Sequence, residues 1–290
     1  LILALIISIS LESCFRTASN SSTGNQNSEI LDSLNTDQRF HHQYFSIVSP
    51  YQAGIELKRA NAIYRPELTN PADNFSNYSS SQKKALNLGI YGADFAYLAL
   101  FNDQKQFTSY IKALKNLSLE LNIDDAFDKT IINQIEKNSD NTDSVLRLFS
   151  LIYYDTDTYL KKNMRQDIAI LIITGGWIES MYFLCNEYKE TKNNLFYQYI
   201  SNQKQTLDNI ITQLAVYYDK DREINKLTDL LVDIAYEFDA ITCKSTLTDS
   251  TTNYPQGLIH IHNKTTVQND SKSINSIVSK VFELRKIIVQ

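Results

Sequence analysis

The sequence predicts an all-α protein, and three observations carry that expectation. Only 7 Gly and 4 Pro occur in 290 residues, too few turn formers for a many-stranded fold. Long stretches repeat their apolar residues at helical spacing, and that pattern breaks from Leu247 to Gln268, where Leu258-Ile259-His260-Ile261-His262 alternates. The arrangement expected is an antiparallel bundle of about eight or nine helices, with one small irregular or hairpin segment near residues 247–268.

The elements follow in order. Ser49-Pro50 opens a helix in cap-then-proline order that runs to about Tyr64, where Arg65-Pro66 stops it. Asn70-Pro71 to Asn77 is a loop, and Ser79-x-x-Gln82 has the capping-box pattern for a helix reaching Phe101. Asn102 caps the next helix, with Phe107, Tyr110, Ile111, Leu114, Leu117 and Leu121 on one face. Helices over Asp124–Asn138 and Asp140–Lys162 follow, the second with Val145, Leu148, Phe149, Ile152, Thr156, Tyr159 and Leu160 inward. Met164 to Lys189 is apolar around most of its circumference, so it belongs at the centre of the bundle; Asp167, Glu179 and the Gly175-Gly176 pair argue against a membrane span. Leu195–Tyr218 and Glu223–Thr242 are amphipathic, and a last helix from Ser271 to Val289 closes the chain. No fixed-period repeat is present, which sets aside a helical solenoid.

The N-terminal region addresses location. Leu1 to Ile9 is an apolar run too short to cross a bilayer, which takes about 20 residues, and of the right length for a signal-peptide core. Leu11-Glu12-Ser13-Cys14 then reads as a lipobox, with Cys14 as the lipidated residue (diacylglycerol on sulfur, palmitate-type acylation), although Glu12 departs from the small-residue preference. With no Met and no charged n-region before Leu1, residues 1–13 are expected to be a signal peptide lacking its start. Residues 14–35 are rich in Ser, Asn, Thr and Gln, unable to bury enough surface to offset ordering, and read as a flexible tether; residues 36–290 read as a single helical domain. The expected location is the bacterial cell envelope, on the outer membrane facing the periplasm, with the bilayer itself as partner through Cys14. The competing reading is a buried apolar segment with an incidental Cys.

A net charge of −5 offers no basic face for nucleic acid and no polybasic membrane patch. With Cys14 lipidated, Cys185 and Cys243 remain; each sits in an apolar stretch read as helical, where a small buried thiol and a disulfide are both open.

Candidate chemistry centres on two helices. Four of the 7 glycines fall inside them, in Leu88-Gly89-Ile90-Tyr91-Gly92-Ala93-Asp94 and in Thr174-Gly175-Gly176-Trp177-Ile178-Glu179. Glycine inside a helix costs about 1 kcal/mol relative to Ala, and close approach of another helix is the compensation expected; a local break opening a pocket beside Trp177 is the alternative. Gly89 and Gly92 share a face. If the two helices meet at their glycines, Asp94 and Glu179 approach each other, an arrangement that pushes two pKa values apart and suits acid/base or metal chemistry. Tyr91, Asp94, Trp177 and Glu179 are therefore the candidate ligand-binding residues, against the plainer reading that each acid is satisfied by neighbouring tyrosines or backbone. No catalytic residue, metal site or cofactor is assigned. Asp155 and Asp157 point about 200° apart on a helix, His260-x-His262 supplies only two imidazoles, and His41-His42 lacks further ligands. No G-x-S-x-G, H-E-x-x-H, P-loop or dinucleotide fingerprint is present.

Tyr91-Gly92-Ala93-Asp94, Tyr153-Tyr154-Asp155-Thr156 and Gly176-Trp177-Ile178-Glu179-x-Met181-Tyr182, with the lipobox, resemble a family of helical lipoproteins of unassigned function from the Bacteroidetes lineage. The resemblance spans most of the domain and implies an anchored, all-α protein; it brings no activity or site residues. The functional expectation is a membrane-anchored binding or scaffolding domain, with an envelope protein as a possible partner. The alternative is a small-ligand receptor or hydrolytic enzyme with a carboxylate pocket around Asp94 and Glu179.

Overall fold

The computed structural model describes residues 50–290 apart from 127–128, 139, 242, 252–259 and 268–270. The expected signal segment, Cys14, the expected tether and His41-His42 lie outside the described residues. Ten α-helices and one hairpin make up the described chain: α1 Pro50–Arg59, α2 Ser81–Leu100, α3 Phe107–Glu120, α4 Lys129–Lys137, α5 Thr142–Lys162, α6 Gln166–Thr191, α7 Asn194–Ser201, α8 Lys204–Leu214, α9 Arg222–Asp239, strands β1 Cys243–Thr251 and β2 His260–Val267, and α10 Ser271–Val289.

Several boundaries differ from the periodicity reading, for local reasons. The first helix stops at Arg59 instead of Tyr64, because Asn61 takes a left-handed conformation (φ 55°) that closes it. The cap of α2 is Ser80, one residue later than expected, its hydroxyl accepting from the Lys83 amide at 3.1 Å. Gln82 reaches instead to Asp221, itself the N-cap of α9, so one contact ties two helix starts together. Asn102 is no N-cap: it lies past the end of α2 at φ 59°, and a short 3-10 turn, Gln104–Gln106, precedes α3. The expected helix at Leu195–Tyr218 is divided into α7 and α8, which raises the count to ten. At that break Gln203 turns inward, where its carbonyl oxygen accepts from the Trp177 indole at 3.3 Å. Residues 247–268 do contain a hairpin: β1 and β2 pair antiparallel, with a bulge between Leu247 and Asp249. Cys243 starts β1 and is therefore not helical, while Cys185 is buried in α6 as a free thiol that burial pushes above its ordinary pKa.

The core forms around α2 and α6. Helix α6 is long and apolar enough to cross a membrane by length and composition, yet 94% of its most apolar window is buried among other helices, as its all-round hydrophobicity predicts for a central helix. A Cβ built on Gly89 would lie 1.9 Å from the Ile172 carbonyl oxygen and 2.7 Å from the Gly176 nitrogen, and one on Gly175 would lie 1.9 Å from the Leu86 carbonyl oxygen. The two backbones touch, and the absence of side chains at both positions is what permits it. Consecutive helices such as α2 and α3 run antiparallel, with Phe95 against Phe107 at one end and Lys84 paired to Glu120 at the other. The central pair differs: from the crossing, Asp94 comes beside Glu179 and Tyr97 stacks on Phe183 (4.3 Å between centroids), so α2 and α6 run parallel. Gly92 belongs to another environment. It borders an apolar cavity of about 30 Å³ with Leu88, Leu114, Phe149, Ile152 and Ile172.

Candidate functional site

Five elements, α2, α3, α6, α10 and the connection between α1 and α2, bring polar groups into one place inside the protein. Asp94 on α2 and Glu179 on α6 are both 0% exposed. Beyond the crossing the parallel run of their helices keeps them side by side, as the glycine argument anticipates. From α10, Arg285 enters and binds Glu179 with two parallel bonds, Nε to Oε2 at 2.9 Å and Nη2 to Oε1 at 2.8 Å. The guanidinium lies over the Tyr182 ring at 4.5 Å, and Nη2 also donates to the Leu68 carbonyl oxygen at 3.1 Å.

The connection between α1 and α2 contributes Pro66 to Tyr78, which lies over the cluster as a strap and receives Tyr110 from α3. Pro66, Glu67 and Pro71 face solvent, whereas Leu68, Thr69, Asn70 and Tyr78 turn inward and are buried. Asn70 is the hub. Its amide donates to Asp94 Oδ2 at 3.1 Å and its Nδ2 to the Tyr78 hydroxyl at 2.8 Å; its Oδ1 accepts from Asn74 at 3.1 Å. The Tyr110 hydroxyl lies 2.9 Å from the Asn70 carbonyl and 2.7 Å from Thr69 Oγ1, while Tyr91 donates to the Pro71 carbonyl at 2.9 Å. Asn87 on α2 donates from Nδ2 to the Ile288 carbonyl at 3.0 Å and so fastens α10 beside Arg285.

Electrostatics follow from burial and from the charge count. Burial first, and then the Glu179 carboxylate, push the Asp94 carboxyl well above its ordinary range, against the opposing pull of Arg285 and the Asn70 amide. Asp94 Oδ1 is buried and accepts no hydrogen bond. Burial likewise raises Tyr91, Tyr110 and Tyr78, each further disfavoured as a phenolate by the nearby Asp94 carboxyl, so all three hydroxyls stay neutral.

Of the four expected binding residues, the structure assembles three. Tyr91, Asp94 and Glu179 share the cluster, but Trp177 does not: two residues from Glu179 on the helix, it points about 200° away, where it is 2% exposed and bonded to Gln203. The glycines do not break the helix: α6 runs on through Gly175-Gly176, and the backbone of α2 lies against Gly175. Arg285, Asn70, Tyr78 and Tyr110 are the members the motif reading omits. Arg285 had a visible signal, a cation on the apolar stripe Ile274, Ile277, Val278, Val281, Leu284 and Ile288 of α10.

Elsewhere, Asp157 pairs with Lys161 one turn on, and Asp155 is exposed on the same uninterrupted α5, so the two acids do not converge. No cluster of three metal-ligating side chains occurs among the described residues; the imidazoles of His260 and His262 are not among these. No family model, no curated protein and no solved structure matches this chain.

Proposed function

We propose that the chain is a lipid-anchored protein of the bacterial cell envelope whose helical domain works by binding or scaffolding another envelope component. The observation that carries the reading is the occupancy of the best candidate site. A receptor or hydrolase presents its carboxylates to a concave space that a ligand can enter, whereas here Arg285 occupies the position of a cationic ligand and the strap covers the cluster. The polar groups hold the protein's own parts together. Location rests on the lipobox at Cys14, the apolar run before it, the polar tether after it, and the resemblance to helical lipoproteins of the Bacteroidetes lineage.

Cys14→Ala should move the protein from the membrane fraction to the soluble envelope fraction. Unchanged membrane retention would remove the anchor from the reading. The alternative, a receptor or hydrolase at Asp94 and Glu179, draws on the adjacency of the two acids. It requires a saturable rise in melting temperature with some member of a panel of oligosaccharides, envelope metabolites and lipids, abolished by Glu179→Gln. Silence across that panel, with crosslinking to one envelope protein from intact cells, is the outcome expected of a scaffold.

A further inference from the structure

We propose that Asp94, Glu179 and Arg285 form a proton-holding latch: the Asp94 carboxyl carries a proton on Oδ1 and donates it to Glu179, and loss of that proton releases the strap Pro66–Tyr78. The geometry requires a donor at this point. Asp94 Oδ2 accepts the Asn70 amide, while Oδ1 is buried with no donor of its own beside a second carboxylate. A buried acceptor without a donor is costly, and two like charges side by side in the interior are costlier still. A single proton on Asp94 Oδ1 removes both penalties. It makes Oδ1 the donor and leaves one carboxylate facing one guanidinium.

The surrounding groups leave the task to that proton. From α6 only Glu179 faces Asp94, and from α10 only Arg285, whose Nε and Nη2 are both committed to Glu179. Tyr91 on Asp94's own helix, Tyr110 on α3 and Tyr78 at the end of the strap are neutral hydroxyls, with Tyr91 bonded to Pro71 and Tyr110 directed at Thr69 and Asn70. Among the described residues, Arg285 is the cation that acts on Asp94, and it is already held by Glu179.

The strap is coupled to the proton through two bonds. The Asn70 amide is held by Asp94, and the Leu68 carbonyl is held by Arg285. With Asp94 ionised, the one guanidinium must serve two carboxylates; turning toward Asp94 withdraws Nη2 from Leu68, and admitting water to the two anions means lifting the strap that covers them. The direction in pH follows from linkage. A carboxyl whose folded pKa lies above its unfolded value contributes stability that is fully present below the unfolded value and is lost as pH rises through the folded value. The latch is therefore closed in acid and loosens toward alkaline pH.

Two variants test it on the full domain. Asn at position 94 can imitate the protonated acid, its amide donating to Glu179 and its oxygen accepting from Asn70. Asp94→Asn should therefore flatten the pH dependence and melt at or above the wild type at pH 8, with the Asn70 amide exchanging no faster there than at pH 6 once the intrinsic rate is divided out. In the wild type that corrected exchange should accelerate at least tenfold across the titration of Asp94, followed by the carboxyl carbon's NMR shift. In Glu179→Gln, Asp94 becomes the counterion of Arg285, and its carboxyl should titrate at lower pH than in the wild type. The proposal is overturned if the Asp94 carboxyl of the wild type is ionised at pH 6, if Asp94→Asn melts below the wild type at pH 8 by more than at pH 5, or if Asn70 exchange is insensitive to the titration.

Discussion

Two buried glutamates on α6, Glu179 and Glu187, each take an arginine from outside the helix, and the company each pair keeps makes them different devices. Glu179 is wholly buried and receives Arg285 through two bonds, with Arg285 13% exposed; Glu187 is 3% exposed and is held by one nitrogen of Arg65, which is 21% exposed. Arg285 lies on a tyrosine ring and also holds a strap carbonyl, whereas Arg65 leaves its Nε buried without a partner. Asp94 stands beside the first pair only; beside the second stands the neutral Tyr97 hydroxyl, which accepts the Arg65 amide at 3.0 Å. A buried Glu–Arg pair is by itself weak evidence of stabilisation, since desolvation offsets most of the attraction. The supernumerary acid turns the Glu179 pair into a site with a proton to hold, and its absence leaves the Glu187 pair a simple fastening between α6 and the residue just before the strap.

The most disruptive change to the packing is one that forces α2 away from α6 next to the first pair. In Gly89→Ala the new methyl meets the backbone of Ile172 and Gly176, at 1.9 and 2.7 Å, and backbone cannot rotate out of the way as a side chain can. The gain of about 1 kcal/mol in helix propensity is overwhelmed by overpacking of about 3 kcal/mol or more, so urea unfolding should show a net loss of at least about 2 kcal/mol. A midpoint equal to or above the wild type would show that α2 and α6 are not in backbone contact.

Removing each arginine separates the two pairs directly. Arg285→Leu leaves two adjacent buried acids and should cost about 3–5 kcal/mol at pH 8, the range for breaking a buried ion pair. The loss should shrink at pH 5, where protonation of Asp94 relieves part of the repulsion. Arg65→Leu should cost less, about 1–3 kcal/mol, because the space vacated is nearer to solvent and water can reach Glu187. Its cost should also lack the special dependence contributed by Asp94. Chemical denaturation of both variants at the two pH values checks the ranking, and equal losses would erase the distinction.

Legibility in the sequence followed the range of the forces involved. The helices were readable because 3.6-residue periodicity is local, and α6 was placed at the centre by its apolar circumference alone. The approach of Asp94 to Glu179 was readable because interior glycines demand a compensating contact, and four of them fell in two helices. The parallel run of α2 and α6 was not, since short connections inform only on consecutive helices. Trp177 was misplaced because nearness in sequence to Gly176 and Glu179 says nothing of azimuth until the helix face is known. Asn70 was invisible for another reason: Asn-Pro is an ordinary loop signal, and its role as hub appears only once the strap lies on α2 and α3. Arg285 is legible as a cation on the apolar stripe of α10, the kind of partner that two buried acids require.

The smallest effect tests the far side of α2. Gly92 lies three residues from Gly89, yet it borders the apolar cavity with Leu88, Leu114, Phe149 and Ile152, away from both ion pairs. In Gly92→Ala the methyl enters apolar space, so propensity and partial filling of the void act in one direction. The expected result is a gain of about 0.5–1 kcal/mol in urea unfolding, with the Asp94 titration unchanged. A larger residue such as Leu exceeds a 30 Å³ cavity and should reverse the sign by overpacking. If Gly92→Ala were as damaging as Gly89→Ala, both glycines would lie in the close contact, and the division of α2 into a face pressed on backbone and a face beside a void would be wrong.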